Sequence, residues 1–268
     1  MHLKTASRLF FAMTMIAIGV IGLLSGSFAP IWQPVPETVP ARQALAYMSN
    51  ILAVGSGAGL LMKRTAALAA FVLLACLLVW TALFKVPFII RAPLEEVSYQ
   101  SNGENAVLIA AAWVLYAQYA KAPKFPAGNL GVRIAYILYG LALVALGFSH
   151  FVYLNMTAPI VPGWLPDAVF WAYLTGSIYL ASGLAVATGL GARQGALAAA
   201  MQITLITLLV WGPMLVAGNM SAMHWQETVV SRALTAGAWV MASGSPPARG
   251  SLRLPSRRGR SGSLDTRP

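Results

Sequence analysis

Eight apolar runs, separated by short segments rich in Pro, Gly and charge, set the limits on what this chain can fold into. They are Leu9–Phe28, Ala44–Leu61, Ala66–Phe84, Asn105–Tyr119, Ile134–Tyr153, Val169–Thr188, Gly195–Val216 and Val229–Ala242, the last the shortest. A helix that crosses a bilayer needs about 20 mostly apolar residues, because hydrocarbon offers no partner to a free backbone N–H or C=O. The pattern predicts an all-α, polytopic membrane protein with eight transmembrane helices. Composition agrees: 58% of the 268 residues are hydrophobic and only 9% are charged, against about a quarter charged in a soluble domain. That excludes a soluble globular enzyme, a disordered chain and a nucleic-acid-binding domain. The net charge of +11 is scattered between the runs or gathered in the tail, so no basic face forms for nucleic acid. The single cysteine, Cys76, excludes a disulfide framework and a CxxC pair, and reads as a small buried hydrophobe.

The first run follows Lys4 and Arg8 and precedes Ser27-Phe28-Ala29, which resembles a secretory signal. Pro30 after that site opposes cleavage, and the run has a counterpart later in the chain. It is therefore expected to be a span.

Shifting the sequence by 126 residues aligns Val35–Tyr116 with residues 161–242 without a gap. Val35-Pro36 and Pro40 fall on Val161-Pro162 and Pro166, Ser56-Gly57 on Ser182-Gly183, Pro87 on Pro213, and Ala112-Trp113-Val114 on Ala238-Trp239-Val240. Apolar bias does not place matched prolines and tryptophans in one frame. The expectation is two tandem four-helix repeats, residues 1–121 and 122–242, followed by a disordered basic tail over 243–268. Four spans is an even number, so the repeats run parallel, related by an axis along the membrane normal.

Charge sets the orientation. With the N-terminus cytoplasmic, 14 of the 18 Lys and Arg fall inside, and only Arg42, Lys85, Arg91 and Arg232 fall outside. Both termini are expected in the cytoplasm, in the cell (inner) membrane, with the bilayer itself as a partner. Trp32, Tyr153, Trp164, Trp171, Trp211 and Trp225 then cluster at the outer interface, as an aromatic belt would.

No run carries an acid or base near its centre, and no phosphate loop or HExxH motif is present, which argues against an ion-coupled pump or a cytochrome. What remains is a polar rim at the outer helix ends. His150 closes span five, Asp167 opens span six, and His224, Glu227 and Arg232 precede or open span eight. Two imidazoles and a carboxylate could bind a metal, could hydrogen-bond a quinone carbonyl and pass its proton to water, or could be ordinary interfacial residues. The first half has Leu24 and Ser98 at the positions matching His150 and His224, and carries Lys85, Arg91, Glu95, Glu96 and Glu104 as a charged, solvated loop. Gly55 with Gly59, and Gly183 with Ala187, are expected in helix seams, with Gln202, Thr204 and Thr207 bonding neighbouring helices.

His150, the run Ile160-Val161-Pro162-Gly163-Trp164-Leu165-Pro166, and Ala172-Tyr173-Leu174-Thr175-Gly176 with Ser182-Gly183-Leu184 together resemble the DoxX-like family of four-span membrane proteins. The resemblance covers 132–242 directly and 10–120 through the repeat. It implies a four-helix fold, and relatives that include a thiosulfate:quinone oxidoreductase subunit and a component of a membrane complex guarding against oxidative stress. His150, Pro162, Pro166 and Gly176 match the family pattern. The acid that relatives often place in the second span is replaced here by Asn50-Ile51-Leu52 and Gly176-Ser177-Ile178-Tyr179. Two functions stay open: a redox- or quinone-linked accessory subunit with membrane redox partner proteins, and a non-catalytic scaffold whose rim binds partner proteins.

Overall fold

The computed structural model describes residues 2–121, 125–218 and 220–246, with the side chains of Glu96 and Val97 left out. The expected tail therefore lies outside the described residues from 247 onward. Eight long helices account for most of the described chain: α1 His2–Ser25, α2 Arg42–Leu61, α3 Ala66–Arg91, α4 Glu96–Tyr119, α5 Asn129–Val152, α6 Ala168–Thr188, α7 Ala192–Ala217 and α8 Ala222–Ser243. Six of them, all but α4 and α8, are long and apolar enough to cross a membrane.

Each helix packs on the next along the chain, α8 closes the ring onto α1, and α4 and α8 meet in the middle. This placement explains why the two least apolar helices stand apart from the six. Residues 107–115 of α4 are buried on every face, as are residues 233–238 of α8. A helix shielded on all sides by other helices needs small and polar residues that fit its neighbours, whereas the outer helices must present Leu, Met and Phe to their surroundings. Leu68, Leu78, Leu83, Leu141, Leu184 and Leu205 are exposed in this way.

Element bounds recur at the 126-residue offset. The α-helical part of α3, Ala66–Trp80, matches Ala192–Ile206 of α7. Both helices then open into a π-turn, Thr81–Lys85 and Thr207–Trp211, and both resume, as Val86–Arg91 and Gly212–Ala217. The cause is local. Pro87 and Pro213 remove a donor and crowd the carbonyl a turn earlier, and a widened turn relieves that crowding. Thr81 and Thr207 each hold the turn by donating their hydroxyl one turn back, to Leu77 O (2.7 Å) and Ile203 O (2.8 Å). The residues before α2 and α6, Ala41 and Asp167, both have left-handed backbones, with φ of 52° and 51°.

Several expectations are corrected. The third helix does not end at Phe84 but runs through the π-turn to Arg91, which places Lys85 inside the bundle at 2% exposure and not in a solvated loop. Trp32 and Trp211 turn into the bundle and do not face outward, at 1% and 5% exposure. Trp32 lies in a ring cluster with Phe28, Trp80 and Phe84, and its carbonyl accepts from Trp80 Nε1 at 2.8 Å. Trp164 and Trp225 remain exposed. Gly59 lies in the seam with α3, against Ala69, as expected, whereas Gly55 faces open space; the glycine of α2 in the seam with α1 is Gly57, which abuts Ala12 O and Ile16. Gly183 abuts Gly140 O as the small-residue spacing predicts. At the opposite end from the π-turns, Arg8 is buried, donates to Leu60 O and lies over the Tyr119 ring. Ser7 Oγ meets Ser243 Oγ at 2.7 Å, where α8 closes on α1.

Candidate functional site

The five rim residues named from sequence do not converge. Asp167 is exposed and caps α6, its carboxylate accepting from Phe170 N at 3.0 Å. Arg232 is exposed on α8. His224 and Glu227 are half-buried in the first turns of α8; Ser221 Oγ caps the His224 N–H, and the His224 ring lies 6.2 Å from that of Trp211. His150 is half-buried at the end of α5. Among the described residues no hydrogen bond or ring contact joins any two of the five, and no group of three His, Cys, Asp or Glu could hold a metal.

Instead, His150 heads a column of polar side chains inside the second half. Its Nδ1 lies 2.9 Å from Leu146 O. A carbonyl only accepts, so Nδ1 carries the proton, and the neutral ring presents Nε2 as an acceptor. The ring packs on Tyr179 of α6, centroids 5.3 Å apart. Tyr179 stands beside Gln202 of α7 and Tyr139 of α5, and Tyr139 stands beside Tyr136. The column ends where Tyr136 Oη donates to Met241 O at 2.9 Å. Two of its atoms, Tyr139 Oη and Gln202 Oε1, are buried without a hydrogen-bond partner among the described residues, and such a group costs about 1–3 kcal/mol to leave unpaired. Gln202 Nε2 bonds Thr175 O (3.0 Å), Thr204 accepts from Trp239 Nε1 (2.9 Å), and Thr207 meets Ser231 and Thr235 (2.6 and 2.9 Å). All three α7 polar residues thus bond neighbouring helices.

Among the described residues the first half has no such column. The residue in the place of His150 is Gly22, not Leu24, because α1 and α5 correspond at an offset of 128. Gly19 abuts Asn50 O and Val54 as Gly147 abuts Gly176 O and Leu180. Gly176 makes room for His150, whereas Gly22 makes room for the Asn50 side chain. Asn50 spends its amide on Ser27 O (2.8 Å). Ala53 and Phe11, both fully buried, stand where Tyr179 and Tyr139 would be.

A second polar cluster surrounds Lys85. Its Nζ donates to Ser101 Oγ (2.8 Å) and Ser101 O (3.3 Å) of α4, and Asn102 Nδ2 donates to Lys85 O (3.1 Å). Asn105 Nδ2 donates to Thr81 Oγ1. Lys85, Glu104, Asn105 and Leu108 line a small cavity of ≈10 Å³ together with Ile31 and with Val230, Ala233 and Leu234 of α8.

Sequence reading missed Tyr136, Tyr139 and Tyr179 as members of a site. The signal was present in α5: Tyr136, Tyr139, Leu143, Leu146 and His150 follow helical spacing along one stripe. Tyr179 and Gln202 lie on other helices, and only packing brings them to that stripe. No family model matches the chain, and no match was found among the curated proteins or the solved structures.

Proposed function

We propose that this integral membrane protein crosses the cell inner membrane eight times as two parallel four-helix copies, with both termini cytoplasmic. In this reading it serves as a quinone-linked accessory subunit whose site is the outer end of the second copy. The apolar lengths of six helices support membrane insertion. The shielding of α4 and α8 by the other six supports two further crossings, since their polar groups then meet protein and not lipid. The recurrence of the α3 and α7 bounds, their π-turns and the left-handed caps at the 126-residue offset supports the duplication. Charge bias supports the orientation.

One observation carries the functional reading: among the described residues, the second half alone holds the polar column, with His150 at its outer end. Nε2 of His150 is an acceptor suited to a quinol hydroxyl, and a half-buried ring at a helix end can be reached from the outer leaflet. Behind it, Tyr179, Gln202 and Tyr139 supply donors and acceptors in a low-dielectric setting, where a hydrogen bond is stronger than in water. The test is to purify the protein in mild detergent, extract it with organic solvent and quantify quinone, for the wild type and for His150→Ala. About one quinone per chain, lost in the variant, is the expected result. Quinone in neither, with partner proteins co-purifying, would replace this reading with the scaffold.

A further inference from the structure

We infer that the first half, at its end opposite the π-turns, binds the phosphate headgroup of an anionic phospholipid through Lys63, Arg64 and Lys121, gathered around the buried Arg8. The inference rests on the membrane reading above and not on the quinone site.

The first observation is a buried cation without a counter-ion. Arg8 is 3% exposed, donates to the Leu60 carbonyl and lies over the Tyr119 ring. Its Nε is buried without a partner among the described residues. The described acids stand at the other end of the helices: Glu37, Glu95 and Asp167 outside the long helices, Glu96, Glu104 and Glu227 in the first halves of α4 and α8. A charge in a low-dielectric setting is costly unless an opposite charge compensates it.

The second observation is that Arg8 draws three further bases to the same place. Its two contacts tie the end of α2 to the end of α4. Lys63 and Arg64 follow Leu60 by three and four residues, and Lys121 follows Tyr119 by two. All three are exposed, and no acid among the described residues stands at this end to pair with them. The turn that presents Lys63 and Arg64 is held by Thr65, whose hydroxyl donates back to Gly59 O at 2.6 Å. Thr65 therefore gives no side-chain cap to α3, which begins at Ala66. The uncapped N–H groups there add to the attraction for an anion. Lys4, one turn before Arg8, donates instead to Ser245 Oγ at 3.1 Å.

The third observation separates a lipid from a free anion. Leu61 and Met62 are exposed directly before Lys63, and Leu68 and Phe71 are exposed on the first turns of α3. A phospholipid meets both demands, with its phosphate on the bases and its acyl chains along these side chains. The second half has Gly189 and Leu190 at the positions of Lys63 and Arg64. In the place of Arg8 it has Tyr136, whose hydroxyl is spent on Met241 O.

The experiment is native mass spectrometry of the full chain in a neutral detergent, titrated with phosphatidylglycerol or with phosphatidylcholine of the same chains. A gain of about five-fold for each of three bases makes the first phosphatidylglycerol bind about a hundred-fold tighter than phosphatidylcholine. Lys63→Gln/Arg64→Gln/Lys121→Gln should bring the two lipids to equal affinity. Arg133→Gln/Arg193→Gln, which removes exposed bases from the second half, should keep the preference. Equal affinities in the wild type overturn the inference, as does a preference that survives the triple variant or is lost equally in the double one. Displacement of the lipid by an equal concentration of inorganic phosphate overturns it too, since the chains would then contribute nothing. All substituted residues are exposed, and the wild-type comparison of the two lipids decides without any variant. A failure of the membrane reading shows differently, as retention of neither lipid, and the quinone content at His150 is read separately.

Discussion

The two glycines that flank Ser56 should respond in opposite ways to the same change. In Gly57→Ala the new Cβ would lie 2.7 Å from both Ala12 O and Ile16 Cγ1 of α1, and 3.0 Å from Ile16 N. Two of these three are backbone atoms, which cannot rotate away. Ordinary contact begins at 3.4 Å, so α1 and α2 must part by roughly 0.7 Å over this crossing. Overpacking of this kind costs about 1–3 kcal/mol. Against it stands the gain of about 0.5–1 kcal/mol from replacing a helical glycine by alanine. In Gly55→Ala the added Cβ meets nothing within 4 Å, so only the gain remains. The two variants should therefore differ by about 1–3 kcal/mol, with Gly55→Ala at or above the wild type. The assay is reversible unfolding by SDS in mixed micelles, followed by tryptophan fluorescence, with thermal aggregation in detergent as a second readout. Gly183→Ala, whose Cβ would lie 2.6 Å from Gly140 O, should behave like Gly57→Ala. Equal stabilities for the 55 and 57 variants, or a larger loss at 55, would refute the helix register argued here.

Other consequences can be read with the same unfolding assay. Tyr136→Phe removes the buried bond to Met241 O and should cost about 1 kcal/mol; no change would mean that the α5–α8 contact is not held by that hydroxyl. Trp32→Ala empties a fully buried site in the Phe28–Trp80–Phe84 cluster and should cost about 3–5 kcal/mol, whereas Trp164→Ala, at 68% exposure, should change stability by less than about 0.5 kcal/mol. Equal losses would place Trp32 back at the surface. Ala41→Gly relieves a left-handed backbone at an alanine and should stabilise by about 1 kcal/mol. Asp167→Ala loses the cap on Phe170 N at a residue of the same backbone shape and should destabilise by about 1 kcal/mol; the same sign for both changes would contradict this account.

Much of the local structure was legible because its causes are local. Apolar length marks a helix whatever its neighbours, and Pro87 and Pro213 mark the places where α3 and α7 must open. The start of α2 follows Pro40, and that of α6 follows Pro166. Gln202, Thr204 and Thr207 were readable as inter-helix bonds because a polar group in an apolar run has few other uses. The failures have one cause too. Gly55 and Gly57 are indistinguishable by composition, and only the crossing point of α1 selects Gly57. Leu24 lay opposite His150 in the alignment, but the link before Val35 differs in length, and the packing of α1 puts Gly22 there.

The sequence by itself determined that this chain is helical, where its apolar helices lie, and that its halves share one pattern, since periodicity, proline and hydropathy act within a few turns of chain. Tertiary structure alone decided which residues face inward. Lys85 and Arg8, charges that a sequence reads as loop residues, are buried because α4, α2 and Tyr119 supply the partners that make burial tolerable. His150 joins Tyr179 and Tyr139 and not His224, because a side chain meets the helix packed beside it and not the residue that resembles it in kind.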